Sequence, residues 1–268
     1  MADGEAPKVS DLKARSISAF VMVAVAGLAL WLGGWIWTLF VVTVGLGVLV
    51  EWTGLFLAFA GSFKARATWA ICGSLYISVA CLTLILLRNE SLLPVLIAIG
   101  AVIGVDVGAY FSGRTFRGPK IAPAISPSKT WSGLAGGMLG ASLVIASLAW
   151  GWPAGLCDAI EPRVVVEANH PVFDGPCSLG IPPIYYLFTT SILLGTCGAV
   201  VAQAGDFFES WMKRLAGVKD SGTLIPGHGG LFDRVDGLLA VCFTIGLVML
   251  GTVLLALARG ESLLPSPA

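Results

Sequence analysis

Charge is what this 268-residue chain has least of. Asp, Glu, Lys and Arg supply 12% of it, about half of the roughly 25% usual in soluble domains, so a water-facing globule is excluded. Neither sign is in excess: 16 basic and 16 acidic residues cancel, and no global field points to nucleic acid as a partner. Histidine numbers two, and His228 has neither a partner at zinc-site spacing nor a cysteine near it, so zinc is not expected. No internal repeat is evident.

Apolar residues fill the space that charge leaves. They make up 56% of the chain at a mean hydropathy of +0.88. Runs near the ~20 residues that cross a bilayer occur at 17–33, 35–60, 67–87, 92–112, 131–150, 186–208 and 235–258. Seven spans is the minimum, since 35–60 and 186–208 are long enough to tilt or to extend past the membrane. Trp31-Leu32-Gly33-Gly34-Trp35 follows the first run without a small-residue cleavage pattern, which reads as a retained hairpin and not a cleaved leader. With residues 1–15 inside, 13 of the 16 Lys and Arg fall on the inner side and only Arg88, Arg163 and Arg259 on the outer. By the positive-inside rule that side is cytoplasmic. The expectation is one integral membrane domain over 1–268, with residues 101–237 carrying the cytoplasmic-face motifs, interrupted by the outer loop 151–185.

The six cysteines divide by place. Cys72, Cys81, Cys197 and Cys242 sit in apolar runs at no metal-ligand spacing and read as small buried hydrophobes. Cys157 and Cys177 lie in the outer loop, and an oxidising compartment there would favour a disulfide between them.

Ionisable groups at one depth of a membrane protein point to function. Asp106, Asp206 and Glu209 stand near the inner ends of runs, Asp233, Arg234 and Asp236 open the last one, and Glu51 lies deeper in the second, as a paired structural carboxylate or a site residue. Oxygen ligands at this density suit Mg²⁺. An ion-pair network tying helix ends together is the alternative reading. In Pro226-Gly227-His228-Gly229-Gly230 the backbone can approach a ligand closely and offer N–H groups to phosphate oxygens. Lys213, Arg214, Lys219 and Arg234 flank that loop, which suits a polyphosphate held with a cation.

The run Ser210-x-Met212-Lys213-Arg214, four residues, Lys219-Asp220-x-Gly222, two residues, Ile225-Pro226-x-His228-Gly229-Gly230-Leu231-x-Asp233-Arg234-Val235-Asp236 resembles the signature of the phosphatidate cytidylyltransferases. Gly205-Asp206 with Glu209-Ser210 is similar to the family's upstream run. Asp106-x-x-Ala109-Tyr110-x-x-Gly113-Arg114, with Ser126-Pro127-Ser128-Lys129-Thr130-Trp131-x-Gly133, is similar to its other cytoplasmic motif. The first hundred residues match only in character.

The resemblance implies an all-α polytopic membrane protein, a bundle of about 7–9 transmembrane helices with a polar site on the cytoplasmic side of a bacterial inner membrane. It implies transfer of the cytidylyl group of CTP to phosphatidic acid, with Mg²⁺ as cofactor, room for a second, monovalent cation, and a homodimer. Asp206 and Asp233 are then the main metal ligands and catalytic carboxylates, with Asp220 and Asp236 in support. Lys219 and Arg234 meet triphosphate oxygens or leaving pyrophosphate, beside Lys213 and Arg214. Gly227, His228, Gly229 and Gly230 form the phosphate loop, with His228 shaping it. Ser126, Lys129 and Thr130 contact phosphate or lipid head group, and Arg114 shares in that contact. Two other readings stay open. Asp233-x-x-Asp236-Gly237-x-x-Ala240 partly resembles the CDP-alcohol phosphatidyltransferase motif, although Val241 stands where that family has arginine. Membrane carboxylates would also serve an ion-coupled transporter.

Overall fold

A computed structural model describes residues 9–150, 183–224 and 229–259. Among these, the elements in order are α1 (Val9–Leu32), α2 (Gly34–Phe59), α3 (Phe63–Glu90), α4 (Leu92–Phe116), β1 (Lys120–Ala122), β2 (Ser126–Thr130), α5 (Trp131–Trp150), α6 (Pro183–Ala216) and α7 (Phe232–Ala258). Helices α2 to α7 are long and apolar enough to cross a membrane, and Ser18–Leu32 within α1 is a shorter apolar stretch. The chain is an all-α polytopic integral membrane protein. The helical form follows from the solvent, because a bilayer core offers no partner to an open backbone group. Cys157, Cys177, Gly227 and His228 lie outside the described residues.

Two compact units divide the chain: Met1–Val95 with Val201–Ala268, and Leu96–Val200. In the first, α1 turns into α2 at Gly33, whose φ of +66° favours a residue without Cβ. Arg88 of α3 closes that turn by donating from Nε to the Leu30 carbonyl at 2.8 Å and from Nη2 to the Trp31 carbonyl at 3.2 Å. These carbonyls end a helix and would otherwise lack donors. Helix α3 starts under its own cap, the Ser62 hydroxyl accepting from the Ala65 N–H at 3.2 Å. Packing of α2 on α3 is fixed by two indoles: Trp37 donates to the Leu84 carbonyl at 3.1 Å and Trp52 to the Trp69 carbonyl at 3.0 Å. Gly73 makes room for the Trp52 ring, since a Cβ there would fall on the indole. Trp52 also meets Tyr76, Phe208 and Phe232 at centroid distances of 5.7 to 6.0 Å, joining α2, α3, α6 and α7.

In the second unit α4 and α5 meet backbone to backbone. A Cβ on Gly104 would press on the Gly140 carbonyl, and one on Gly108 on the Gly136 carbonyl. Small residues let membrane helices approach closely where no hydrophobic effect drives them together. Between the two helices β1 and β2 form an antiparallel hairpin pairing Lys120 with Thr130 and Ala122 with Ser126. No strand was expected from a segment with prolines at 123 and 127. Thr130 ends the hairpin and caps α5, its hydroxyl accepting from the Gly133 N–H at 3.1 Å.

The expected burial of the four membrane cysteines needs correcting. Cys242 is buried and Cys81 half-buried, whereas Cys72 and Cys197 are exposed. Large apolar side chains such as Leu75, Ile192 and Val248 are exposed on the same helices. For a spanning helix such a face meets lipid, so an apolar residue need not be buried in protein.

Candidate active site

The first unit gathers the charged ends of α6 and α7. Asp206 and Glu209 lie three apart on α6, so they share a face, and Asp236 lies one turn into α7. These three carboxylates each bring an oxygen within 4.8 Å of the others. Gly205 permits the approach, because a Cβ there would press on Ala240 and on the Asp236 carbonyl.

Glu209 is the deepest of the three, at 1% exposure. Its Oε2 pairs with Lys213 Nζ at 2.6 Å, one helical turn on. Its Oε1 is buried without a hydrogen-bond partner among the described residues, an arrangement that costs free energy until something positive fills the place. Three clustered carboxylates with an orphaned oxygen therefore fit a divalent cation with oxygen ligands. Ser210 donates to Asp206 Oδ1 at 3.4 Å, and the Gly237 N–H to Asp236 Oδ1 at 2.7 Å.

Asp233 is not one of that trio, but its carboxyl lies within hydrogen-bonding reach of Glu209. Its Oδ1 takes Lys213 Nζ at 2.5 Å. Its Oδ2 accepts the Ser221 and Gly230 N–H groups at 2.9 and 3.0 Å and faces the Ser221 hydroxyl at 2.9 Å. Lys213 thus bridges Glu209 and Asp233, and the ion-pair reading and the cation-site reading describe neighbouring parts of one arrangement.

Glu51 reaches this place from α2. At 5% exposure, it accepts the Leu231 N–H at Oε1 (2.9 Å) and the Phe232 N–H at Oε2 (2.7 Å), and Oε2 lies 2.9 Å from the Ser221 hydroxyl. Leu231 cannot cap α7 with its own side chain, so the cap comes from 180 residues away. A carboxylate at a helix start is favoured by the macrodipole.

Of the sequence-predicted residues, Asp206, Asp233, Asp236, Lys213, Gly229 and Gly230 come together here. Lys219, Asp220, Arg214 and Arg234 are exposed around the same loop and helix ends. Ser126, Lys129, Thr130 and Arg114 belong to the other unit. There Ser126 and Thr130 are buried, Lys129 interacts electrostatically with Asp106, and Arg114 donates to the Tyr110 hydroxyl at 3.0 Å. Glu209 was part of the quoted motif but not of the expected ligand set; its spacing from Asp206 and Lys213 was the available signal. Ser221 carried no signal of its own.

Fold and site together define a polytopic membrane protein with an acidic cation-type site beside a cationic, glycine-rich loop. Residues 55–252 match the sequence model of the cytidylyltransferase family. The phosphatidate cytidylyltransferase of Brucella suis biovar 1 (strain 1330) is 31% identical, over 87% of this chain and 91% of that protein. That of Rickettsia typhi (strain ATCC VR-144 / Wilmington) is 32% identical, over 84% and 86%. The chain belongs to the cytidylyltransferase family. Membership removes the support for the phosphatidyltransferase and transporter readings.

Proposed function

We propose that this protein transfers the cytidylyl group of CTP to phosphatidic acid, giving CDP-diacylglycerol and pyrophosphate. The family and the names of the relatives support the reaction, and one observation supports its site. Asp206 and Glu209 of α6 converge with Asp236 of α7, and Glu209 Oε1 is buried there without a hydrogen-bond partner among the described residues.

The chemistry asks little of the chain in proton transfer. The lipid phosphate is already anionic, so one of its oxygens attacks the α-phosphorus of CTP, the new P–O bond forms, and the bond to the β-phosphate oxygen breaks as pyrophosphate leaves. The chain must bring two anions together and hold them in line. Lys213, fixed between Glu209 and Asp233, presents a cation that cannot swing away. In this reading Lys219 and Arg234 meet the triphosphate oxygens beside the Gly229–Gly230 backbone. Asp206, Glu209 and Asp236 would hold Mg²⁺, which when bound supplies charge neutralisation at the phosphates. Asp233 supports them by keeping Lys213 and the loop in position. The resemblance supports phosphate or head-group contacts for Ser126, Lys129, Thr130 and Arg114, an inner-membrane location with this face cytoplasmic, and a homodimer.

The test is to incubate the purified protein in detergent with labelled CTP, phosphatidic acid and Mg²⁺ and follow label into the lipid phase. Transfer that needs all three components is expected. No transfer, or transfer without phosphatidic acid, contradicts the proposal.

A further inference from the structure

Helix α7 begins without a side-chain cap of its own, its first turn carries Asp233, and Asp236 follows one turn in. Where that turn sits decides how Asp236 meets Asp206 and Glu209, and where Asp233 holds Lys213. Two carboxylates grip it. Glu51 takes the N–H groups of Leu231 and Phe232, and Asp233 turns back to take those of Gly230 and Ser221. The Ser221 hydroxyl lies 2.9 Å from both carboxylates, so its single proton serves one of them at a time and joins the two grips.

There is no slack around this joint. A Cβ on Gly222 would fall against the Glu51 carboxylate, one on Gly230 against Ser221, and one on Gly47 at 2.7 Å from Leu231. The next residue of α2, Trp52, packs its ring on Phe232 at 5.8 Å. Residues 51 and 52 therefore hold the first residue of α7 by its N–H and by its ring. Glu51 is not one of the three clustered carboxylates, so its part in the chemistry runs through what it holds.

We propose that Glu51 is a positioning residue for the reaction: its buried carboxylate sets the register of the loop end and first turn of α7, and so the placement of Asp233, Lys213 and Asp236. This inference rests on the proposed cytidylyl transfer. Glutamine at 51 keeps the size but has one acceptor oxygen and an NH₂ group, which must then face an N–H or hydroxyl donor. A role confined to stability would lower the yield or the melting temperature and leave turnover per folded molecule unchanged.

The experiment compares wild type, Glu51→Gln, Ser221→Ala and Thr83→Val, each purified in detergent and counted as folded protein. Thr83 is a buried residue of α3 whose hydroxyl bonds its own helix at Val79, and its replacement serves as a packing control. Glu51→Gln should lower kcat about 30-fold, or about 2 kcal/mol in barrier, leave KM for phosphatidic acid within about twofold of wild type, and speed amide hydrogen exchange at residues 230–233. Thr83→Val should keep wild-type kcat. Glu51→Gln together with Ser221→Ala should lose less than the product of the single losses, because both act on one joint. A Glu51→Gln enzyme with wild-type kcat overturns the inference. If that variant does not accumulate, Ser221→Ala decides by the same criterion, with wild-type kcat overturning it. Absence of transfer by the wild type would instead count against the proposed function.

Discussion

Replacing Glu209 by glutamine should remove activity without loosening the protein. Glu209, Asp206 and Asp236 bring oxygens within 4.8 Å of one another, and at an effective dielectric of about 20 each like-charged pair at that distance repels by about 3.5 kcal/mol. Neutralising Glu209 therefore relieves two pairs, about 7 kcal/mol on the same scale. Against this, the attraction to Lys213 at 2.6 Å is worth about 6 kcal/mol at that dielectric. Asp233 also repels Glu209, so the repulsion relieved at least matches the attraction lost, and Lys213 keeps Asp233 as partner. What remains is relief of desolvation at a carboxylate that is 1% exposed, together with an amide N–H₂ that can donate to the neighbouring carboxylates. In buffer with EDTA, thermal unfolding followed by tryptophan fluorescence should give Glu209→Gln a Tm at or above wild type. Adding Mg²⁺ should raise the wild-type Tm, by the equivalent of about 2.7 kcal/mol at a hundredfold excess over Kd, and should leave the variant unmoved. Cytidylyl transfer should fall about 10³-fold, or about 4 kcal/mol in barrier. A variant several degrees less stable than wild type that still responds to Mg²⁺ would refute the reasoning and leave Glu209 as an anchor for Lys213 alone.

Other substitutions separate the neighbouring roles. Asp233→Asn strips Lys213 of one partner and cannot accept all the donors now facing Oδ2, so it should lower the Tm, by the equivalent of about 3 kcal/mol, and lose activity that extra Mg²⁺ does not restore. Gly73→Ala should destabilise by about 1 to 3 kcal/mol, because its Cβ meets the Trp52 indole, whereas Gly54→Ala, with nothing within 4 Å of its Cβ, should leave the Tm unchanged. In a cysteine-free background, a cysteine at Ser128 should react only with membrane-permeant reagents and one at Asn89 with impermeant reagents from outside; labelling of residue 128 from outside would reverse the orientation.

Hydropathy located the membrane helices because it reports the bilayer core. It placed 131–150 at the residues where α5 begins and ends, and 35–60 within a residue of α2. It ended the sixth run at 208, just before Glu209, although α6 continues to Ala216; helical hydrogen bonding does not stop where lipid does. The hairpin at 120–130 was hidden by its prolines. In the site, Asp206 and Asp236 were legible as carboxylates at the charged ends of apolar runs. The division of labour was not, because it depends on pairs distant in sequence: Lys213 with Asp233, 20 residues apart, and Glu51 with Leu231, 180 apart. A lone glutamate in an apolar run showed that a partner existed and could not show which.

The central claim is that the carboxylates of α6 and α7 gather the reacting phosphates around a divalent cation, and Mn²⁺ binding measured by electron paramagnetic resonance tests it most directly. Without nucleotide, wild type should hold Mn²⁺ in a bound signal that Mg²⁺ displaces, Lys219→Ala should still hold it, and the double variant Asp206→Asn with Asp236→Asn should leave the ion free in solution. A double variant that binds Mn²⁺ as wild type does would contradict the claim and move the cation elsewhere.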